Sequence, residues 1–332
     1  MKRPMLLPLV PLYAAGLALR ELRLQRGWEP VRRLRDPVVS IGNLSTGGSG
    51  KTPFAIALAR LLSARGFNVD VLSRGYGRQS AIAMNVDPDG SYDQFGDEPL
   101  LIARQAGVPV YVAPERYDAG ELAESESTPG PSPRIHILDD GFQHRQLARE
   151  IDILLLNRED WHDHLLPAGN LRENRDAAKR ASVIAIPTED QSLEGELRAW
   201  GWTGPLWRIR PRMHLPTLEG PVLAFCGIAR PEQFFAGVRA AGMVIAVEHS
   251  FADHHRYTMR DLDGLIAEAR SAGSVALVTT EKDAVRLGDL RCDIPADLPV
   301  RTVGLSIEIE DQQAAVEWIE QKIAGAPHFP GN

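Results

Sequence analysis

The sequence predicts an α/β protein: a nucleotide-binding domain built on a parallel sheet, followed by a second, smaller α/β domain. Three observations carry this. Short continuous apolar runs alternate with helical patterns along the chain, as in strands covered on both faces. A glycine-rich turn joins one such run to a helix opened by Lys51 and Thr52. A length of 332 residues, with 44% apolar and 24% charged residues, is that of a folded chain with room for more than one domain.

In chain order, the N-terminal segment 1–28 comes first. Residues 5–19 are uncharged and mostly apolar but contain Pro8 and Pro11, and at 15 residues the run falls short of the ~20 a spanning helix needs. The first 35 residues carry eight basic side chains against two acidic ones, whereas the whole chain has a net charge of −7, so the remainder stands at −13. An acidic body repels nucleic acid, and a basic apolar start suits an anionic membrane surface. Arg20, Arg23 and Arg26 recur every third residue beside Leu17, Leu22 and Leu24, the pattern of a helix lying in the interface; packing of the same stretch on the protein's own core is the competing reading. No small-residue cleavage site follows, which argues against a signal peptide. Two cysteines, Cys226 and Cys292, with no CxxC spacing exclude a disulfide framework and a cysteine zinc site.

Residues 29–200 read as a P-loop NTPase-type domain, with strands expected at 38–41, 69–72, 135–138, 151–156 and 183–186 and a helix at 53–64. Residues 124–133, without an apolar side chain and with three prolines, predict an exposed loop. Residues 201–216, near a Trp-, Arg- and Pro-containing stretch, predict a linker, and 217–332 a second domain with strands near 222–225, 244–247, 275–279 and 300–303.

The strongest chemical signal is SIGNLSTGGSGKTP. Small residues let backbone N–H groups wrap phosphates, a lysine reaches the β- and γ-phosphates, and a hydroxyl serves Mg²⁺. Ser45, Thr46, Gly47, Gly48, Ser49, Gly50, Lys51 and Thr52 form this nucleotide-binding loop, although the strict pattern has glycine where this chain has Ser45. Asp139, with Asp140 beside it, ends an apolar strand, the place of the Mg²⁺-linked carboxylate in P-loop enzymes and also that of an ordinary turn cap. Asp97 and Glu98 lie between Gly96 and Pro99, where N-capping is the plain alternative. His254 and His255 follow Asp253 in a polar loop, and an Asp or His near the γ-phosphate could take an acceptor proton. The stretches 165–173, with Gly169, Arg172 and Glu173, and 279–287, with Lys282 and Asp283, sit at strand-end loops where open α/β sheets bind ligands.

Together, SIGNLSTGGSGKTP, VLSRGYG, GDEP, VAPERYDAG, LDDGFQH, LLPAGNLRE, FADHHRY and TTEKDA resemble the tetraacyldisaccharide 4′-kinase family over roughly residues 5–325. The resemblance implies transfer of the ATP γ-phosphate to the 4′-hydroxyl of a tetraacyl disaccharide 1-phosphate, giving lipid IVA, with ATP and Mg²⁺ as cofactors. It implies a peripheral or monotopic enzyme on the cytoplasmic face of the bacterial inner membrane, with the lipid and the membrane surface as partners, no nucleic acid and no obligate protein partner. By motif it implies Asp97 as general base and His254 as its partner; Thr52, Asp139, Asp140 and Glu173 as the metal or phosphate-network set; and Asn43, Arg74 and Arg116 as substrate contacts. Ser45 is then a family trait, since this family's loop typically has Ser or Thr there. A soluble-metabolite kinase would need no apolar basic start, and a guanine-nucleotide switch would need the NKxD pattern, absent here.

Overall fold

The computed structural model describes residues 3–127 and 132–325. Lys2 of the basic start, 128–131 of the 124–133 loop and the last seven residues of the 217–332 unit lie outside the described residues.

Twelve strands are described: β1 (Val38–Asn43), β2 (Asn68–Ser73), β3 (Met84–Asn85), β4 (Val110–Val112), β5 (Arg134–Leu138), β6 (Ile151–Leu155), β7 (Val183–Pro187), β8 (Leu206–His214), β9 (Val222–Cys226), β10 (Ile245–Ser250), β11 (Ala276–Thr280) and β12 (Val300–Ile309). They form one continuous sheet in the order β10-β9-β11-β12-β8-β7-β6-β1-β5-β2-β4-β3. Pairing is parallel throughout, except between β3 and β4 and between β8 and β12. β1 lies between β5 and β6, so its C-terminal end, where the phosphate loop begins, is flanked by two more strand ends.

The 201–216 linker expectation needs correcting. Most of it is β8, in which Trp207 and Ile209 alternate inward, and period 2 is what a half-buried strand requires. β8 pairs with β7 through 206–209 and with β12 through 209–214, while β12 pairs with β11 through 300–303 and with β8 through 304–309. The two long strands thus make an antiparallel ribbon that carries the sheet from one half to the other. The 217–332 boundary is crossed as well: Ile307, Ile309, Val316 and Ile319 pack into the same core as Phe54 and Leu58 of the helix Lys51–Ala64. The last strand and helix therefore close the core of the first half. Residues 124–126, expected in a loop, end the helix Arg116–Glu126.

The N-terminal segment is helical from Pro4 to Gln25, 22 residues that by length and composition could cross a membrane. One side of this helix is held to the protein. Val10, Tyr13, Ala14 and Leu17 pack on a core of Leu44, Trp161 and Leu171, and the Tyr13 hydroxyl donates to the Arg172 carbonyl at 3.0 Å. Arg20, expected on a lipid-facing basic stripe, instead donates to the Gln143 carbonyl at 2.6 Å. The other side exposes Met5, Leu12 and Leu19.

Beneath the helix Arg116–Glu126 the His136 ring is fully buried, with Nδ1 2.6 Å from Asp70 Oδ1 and Nε2 3.5 Å from Glu124 Oε1. Burial alone would lower its pKa; the two carboxylates overcome this and raise it to about 9, so the ring is an imidazolium at neutral pH.

Candidate active site

The phosphate loop follows the apolar strand β1, and its tip needs glycine. Gly47, Gly48 and Gly50 all have positive φ, near +70°, where a side chain is disfavoured. A Cβ on Gly47 would meet the Ala229 methyl at 2.4 Å, and one on Gly48 would meet Arg230 Cδ at 2.6 Å. The second half therefore rests directly on the loop. On its other side the loop is backed by the 165–173 stretch, with Thr46 N–H donating to the Asn170 carbonyl and Arg172 N–H to that of Leu44.

Lys51 opens the helix and points back into the loop, donating to Asn43 Oδ1 at 3.0 Å and lying 3.5 Å from Asp140 Oδ1. Thr52 beside it is buried, and Ser49 Oγ is buried without a hydrogen-bond partner among the described residues. Asn43, placed by motif with the substrate contacts, is buried at the end of β1 and donates its amide N–H to Ser45 Oγ.

Asp139 and Asp140 follow β5, and their environments differ. Asp139 is buried, with Oδ1 unpartnered among the described residues and Oδ2 3.4 Å from the Ser73 hydroxyl. Burial, reinforced by the nearby Glu98 and Asp140 charges, raises its pKa to about 7. For Asp140 burial acts the same way, but Lys51, Arg172 and Arg116 outweigh it and bring the carboxyl to about 2. Asp140 also has positive φ and accepts from Arg172 Nη1 at 2.9 Å. An unpaired buried carboxylate oxygen beside Thr52's helix and among acidic neighbours has the chemistry of a hard-cation ligand. Glu173 stands apart from this pair: its carboxylate is bonded to Arg180, and it lines a cavity under the N-terminal helix with Leu17, Arg20 and Arg145.

Asp97 is the first residue of the helix Asp97–Ala106, whose N-cap is Gly96 at φ +87°, so it is no N-cap itself. The carboxylate is 1% exposed. Its Oδ2 lies 3.1 Å from His254 Nδ1 and 3.2 Å from Arg286 Nε, while Oδ1 accepts the Glu98 N–H at 2.9 Å. Burial pushes this carboxyl up, but the His254 hydrogen bond and the Lys282 and Arg286 charges hold it below the ordinary aspartate value. The Asp97 hydrogen bond in turn raises His254. His254 is delivered by the loop after β10 at φ +58°, and its ring lies 4.9 Å from that of Tyr76. The neighbouring Arg256 donates to the Gly77 carbonyl, binding the two halves at this point. His255 is structural: it stacks on Phe251 and bonds Asp261, which closes the capping box of the helix Met259–Ser271.

The TTEKDAVR stretch supplies the wall behind Asp97. Lys282 pairs with Glu98, and burial, which lowers its pKa, is outweighed by Glu98 and Asp97, which raise it. Asp283 is fully buried and collects Gly227 N–H, the Tyr257 and Thr280 hydroxyls and Arg286. Arg286 itself escaped the sequence reading, although it lies four residues beyond Lys282 on the same short helix. Arg116 starts its helix with a buried Nε lacking a partner among the described residues, and burial lowers its pKa. Arg74 and Arg116 both act on His144, which burial and these arginines bring down to about 3. Arg116 thus brings positive charge beside Asp139 and Asp140.

A phosphate-wrapping loop at a parallel strand end, a strand-end aspartate pair and an Asp–His dyad contributed by two halves define a P-loop phosphotransferase. The sequence model of the LpxK family, described as Tetraacyldisaccharide-1-P 4′-kinase, matches residues 2–324. The chain is 42% identical to the tetraacyldisaccharide 4′-kinase of Koribacter versatilis, covering 94% of this chain and 97% of that one. It is 40% identical to the tetraacyldisaccharide 4′-kinase of Anaeromyxobacter dehalogenans (strain 2CP-C), over 86% and 81%. The crystal structure of LpxK from Aquifex aeolicus in complex with ATP superposes with a TM-score of 0.73 at 30% identity, over 96% of this chain and 98% of that one. The chain belongs to the tetraacyldisaccharide-1-P 4′-kinase family, the lipid kinases of lipid A biosynthesis.

Proposed function

We propose that this chain transfers the γ-phosphate of ATP to the 4′-hydroxyl of a membrane-held tetraacyl disaccharide 1-phosphate, with Asp97 as the base. The observation that carries the assignment is the Asp97–His254 pair, formed between the two halves and electrostatically linked through Glu98 and Lys282 to Asp139 at the phosphate loop.

Phosphoryl transfer asks little covalent chemistry of the protein, so positioning and charge do most of the catalysis. The loop N–H groups, Ser49 and Lys51 hold the β- and γ-phosphates. Asp97 is ionised at neutral pH because its neighbours keep its pKa low. Oδ2 is engaged by His254 and Arg286, whereas Oδ1 accepts a single N–H and retains a lone pair for the 4′-hydroxyl proton. His254, with its raised pKa, holds the carboxylate in place and stabilises its charged form before the proton arrives. Asp139 and Thr52, with Asp140 as their charge-balancing neighbour, would hold Mg²⁺; the unpartnered Asp139 oxygen supports this. When bound, Mg²⁺ neutralises charge developing on the phosphate oxygens. Arg74 and Arg116 supply positive charge for an anionic substrate group, and Arg116 Nε has a free donor for it.

The lipid acceptor stays in a bilayer, and the exposed side of the N-terminal helix suits attachment to the cytoplasmic face of the inner membrane. Lys51→Ala tests the phosphate-loop reading: ATP affinity is expected to fall at least tenfold, while unchanged affinity would overturn it.

A further inference from the structure

Ser45, the departure from the common phosphate-loop pattern, is fully buried, and its hydroxyl has two partners. Oγ donates to Asp160 Oδ2 at 2.8 Å and accepts from Asn43 Nδ2 at 3.0 Å. Asn43 Oδ1 in turn accepts from Lys51 Nζ at 3.0 Å. On the far side, Asp160 Oδ1 is ion-paired with Arg230, which also lies 3.2 Å from Glu159. Asp160 is 1% and Arg230 7% exposed. Arg230 belongs to the second half, at the start of the helix Pro231–Ala240, and its stem lies against Gly48. A continuous buried polar chain therefore runs from the second half, through Asp160, Ser45 and Asn43, to the lysine of the phosphate loop.

We propose that Arg230, Asp160 and Ser45 form a latch by which the second half positions the phosphate loop, with Arg230 acting on Lys51 through Ser45. A buried ion pair is a costly way to gain stability and is better suited to fixing a geometry. Glycine at position 45 would leave Asp160 and Asn43 without this link. When the second half is seated, Ser45 and Asn43 hold the Lys51 ammonium where a phosphate would meet it; when Arg230 withdraws, Asp160 loses its counter-charge and the chain loosens. Arg230 is thus a positioning residue, and closure of the halves sets both the Asp97–His254 dyad and the nucleotide site.

The latch rests on the phosphate-loop reading above. The test compares Ser45→Ala, Arg230→Met and the double variant with the native chain in ATP titrations at saturating lipid acceptor, in binding of a non-hydrolysable ATP analogue, and in thermal melting. Each single change is expected to weaken analogue binding and raise the KM for ATP by about tenfold. The KM for lipid is expected to hold, and the double variant to lose no more than the weaker-binding single one, because the two act in one chain. Ser45→Thr, which keeps the hydroxyl, should bind the analogue more tightly than Ser45→Ala. Multiplying effects, or a lower melting temperature with nucleotide affinity unchanged, would overturn the latch. If Arg230→Met does not fold, Ser45→Ala against Ser45→Thr decides the matter alone. Lys51→Ala run alongside separates the failures: if it too leaves ATP affinity intact, the phosphate-loop reading falls; if it alone abolishes binding, only the latch does.

Discussion

At the scale of single residues, charge environment assigns the roles. Asp97 and Asp139 are buried and Asp140 half-buried, yet His254, Lys282 and Arg286 lower the first, burial and acidic neighbours raise the second to about 7, and Lys51 and Arg172 bring the third to about 2. Asp97→Ala, which removes the proposed base, is expected to cut turnover by ~10²–10⁴ with ATP-analogue binding retained; turnover above a tenth of native would contradict the role. Away from the site, His136 makes stability depend on pH. Its folded pKa of about 9 exceeds the ordinary histidine value of ~6.5. Its contribution, on the order of 3 kcal/mol, is therefore complete below about pH 6.5 and lost as pH rises through about 9. The native melting temperature should fall across this window, and His136→Gln should flatten that part of the curve; a parallel fall in the variant would exclude this histidine. Sequence made Asp97 and His254 nameable through their motifs. Their partner Arg286 was hidden because one arginine on a short helix has no signature until folding brings Asp97 to within 3.2 Å of it.

Among the elements, strands made of short continuous apolar runs were legible because such runs suit a covered parallel sheet; nine of the twelve were anticipated, eight to within a few residues, while β12 runs six residues past the expected end at 303. The missed ones have physical reasons. β3 and β4 span two and three residues, too short for a periodic signal, and β8 carries three arginines and a proline on a strand whose inward positions are just Trp207 and Ile209. The phosphate loop was legible because φ near +70° at three positions demands glycine. Gly48→Ala should cost about 1–2 kcal/mol of stability from the left-handed conformation alone, and more in nucleotide affinity, since its methyl meets Arg230. Melting and ATP titration of that variant would show both losses. The N-terminal helix keeps Val10, Tyr13 and Leu17 against the core and turns Leu12 and Leu19 outward. Leu12→Glu with Leu19→Glu should release the protein from anionic vesicles in flotation while its melting temperature holds within ~2 °C, since exposed positions carry little packing energy. Undiminished flotation would point to attachment elsewhere.

For the whole molecule, the decisive feature is the continuity of the sheet. Two separate domains on a linker would leave Asp97 and His254 free of one another, whereas the β8–β12 ribbon carries one sheet across both halves. β12 changes partners between Val303 and Gly304, and the loop after β10 rests against Tyr76 and Gly77. No sequence pattern announced this, because the ribbon is a relation between residues 209–214 and 304–309, whose paired positions, from His214 and Gly304 to Ile209 and Ile309, are far apart in the chain, and pairing over that range leaves no local trace. A dyad shared between the two halves is expected to restrain futile hydrolysis until lipid is bound. The most direct measurement follows phosphorylation of tetraacyl disaccharide 1-phosphate in mixed micelles by native protein, Asp97→Ala and His254→Ala, with ATP hydrolysis recorded with and without lipid. Bis-phosphorylated product from the native protein, its near loss in Asp97→Ala, an intermediate rate in His254→Ala and ATP consumption that depends on lipid are expected. Full product formation by Asp97→Ala, or equal ATP consumption with and without lipid, would contradict a dyad assembled by closure of the two halves.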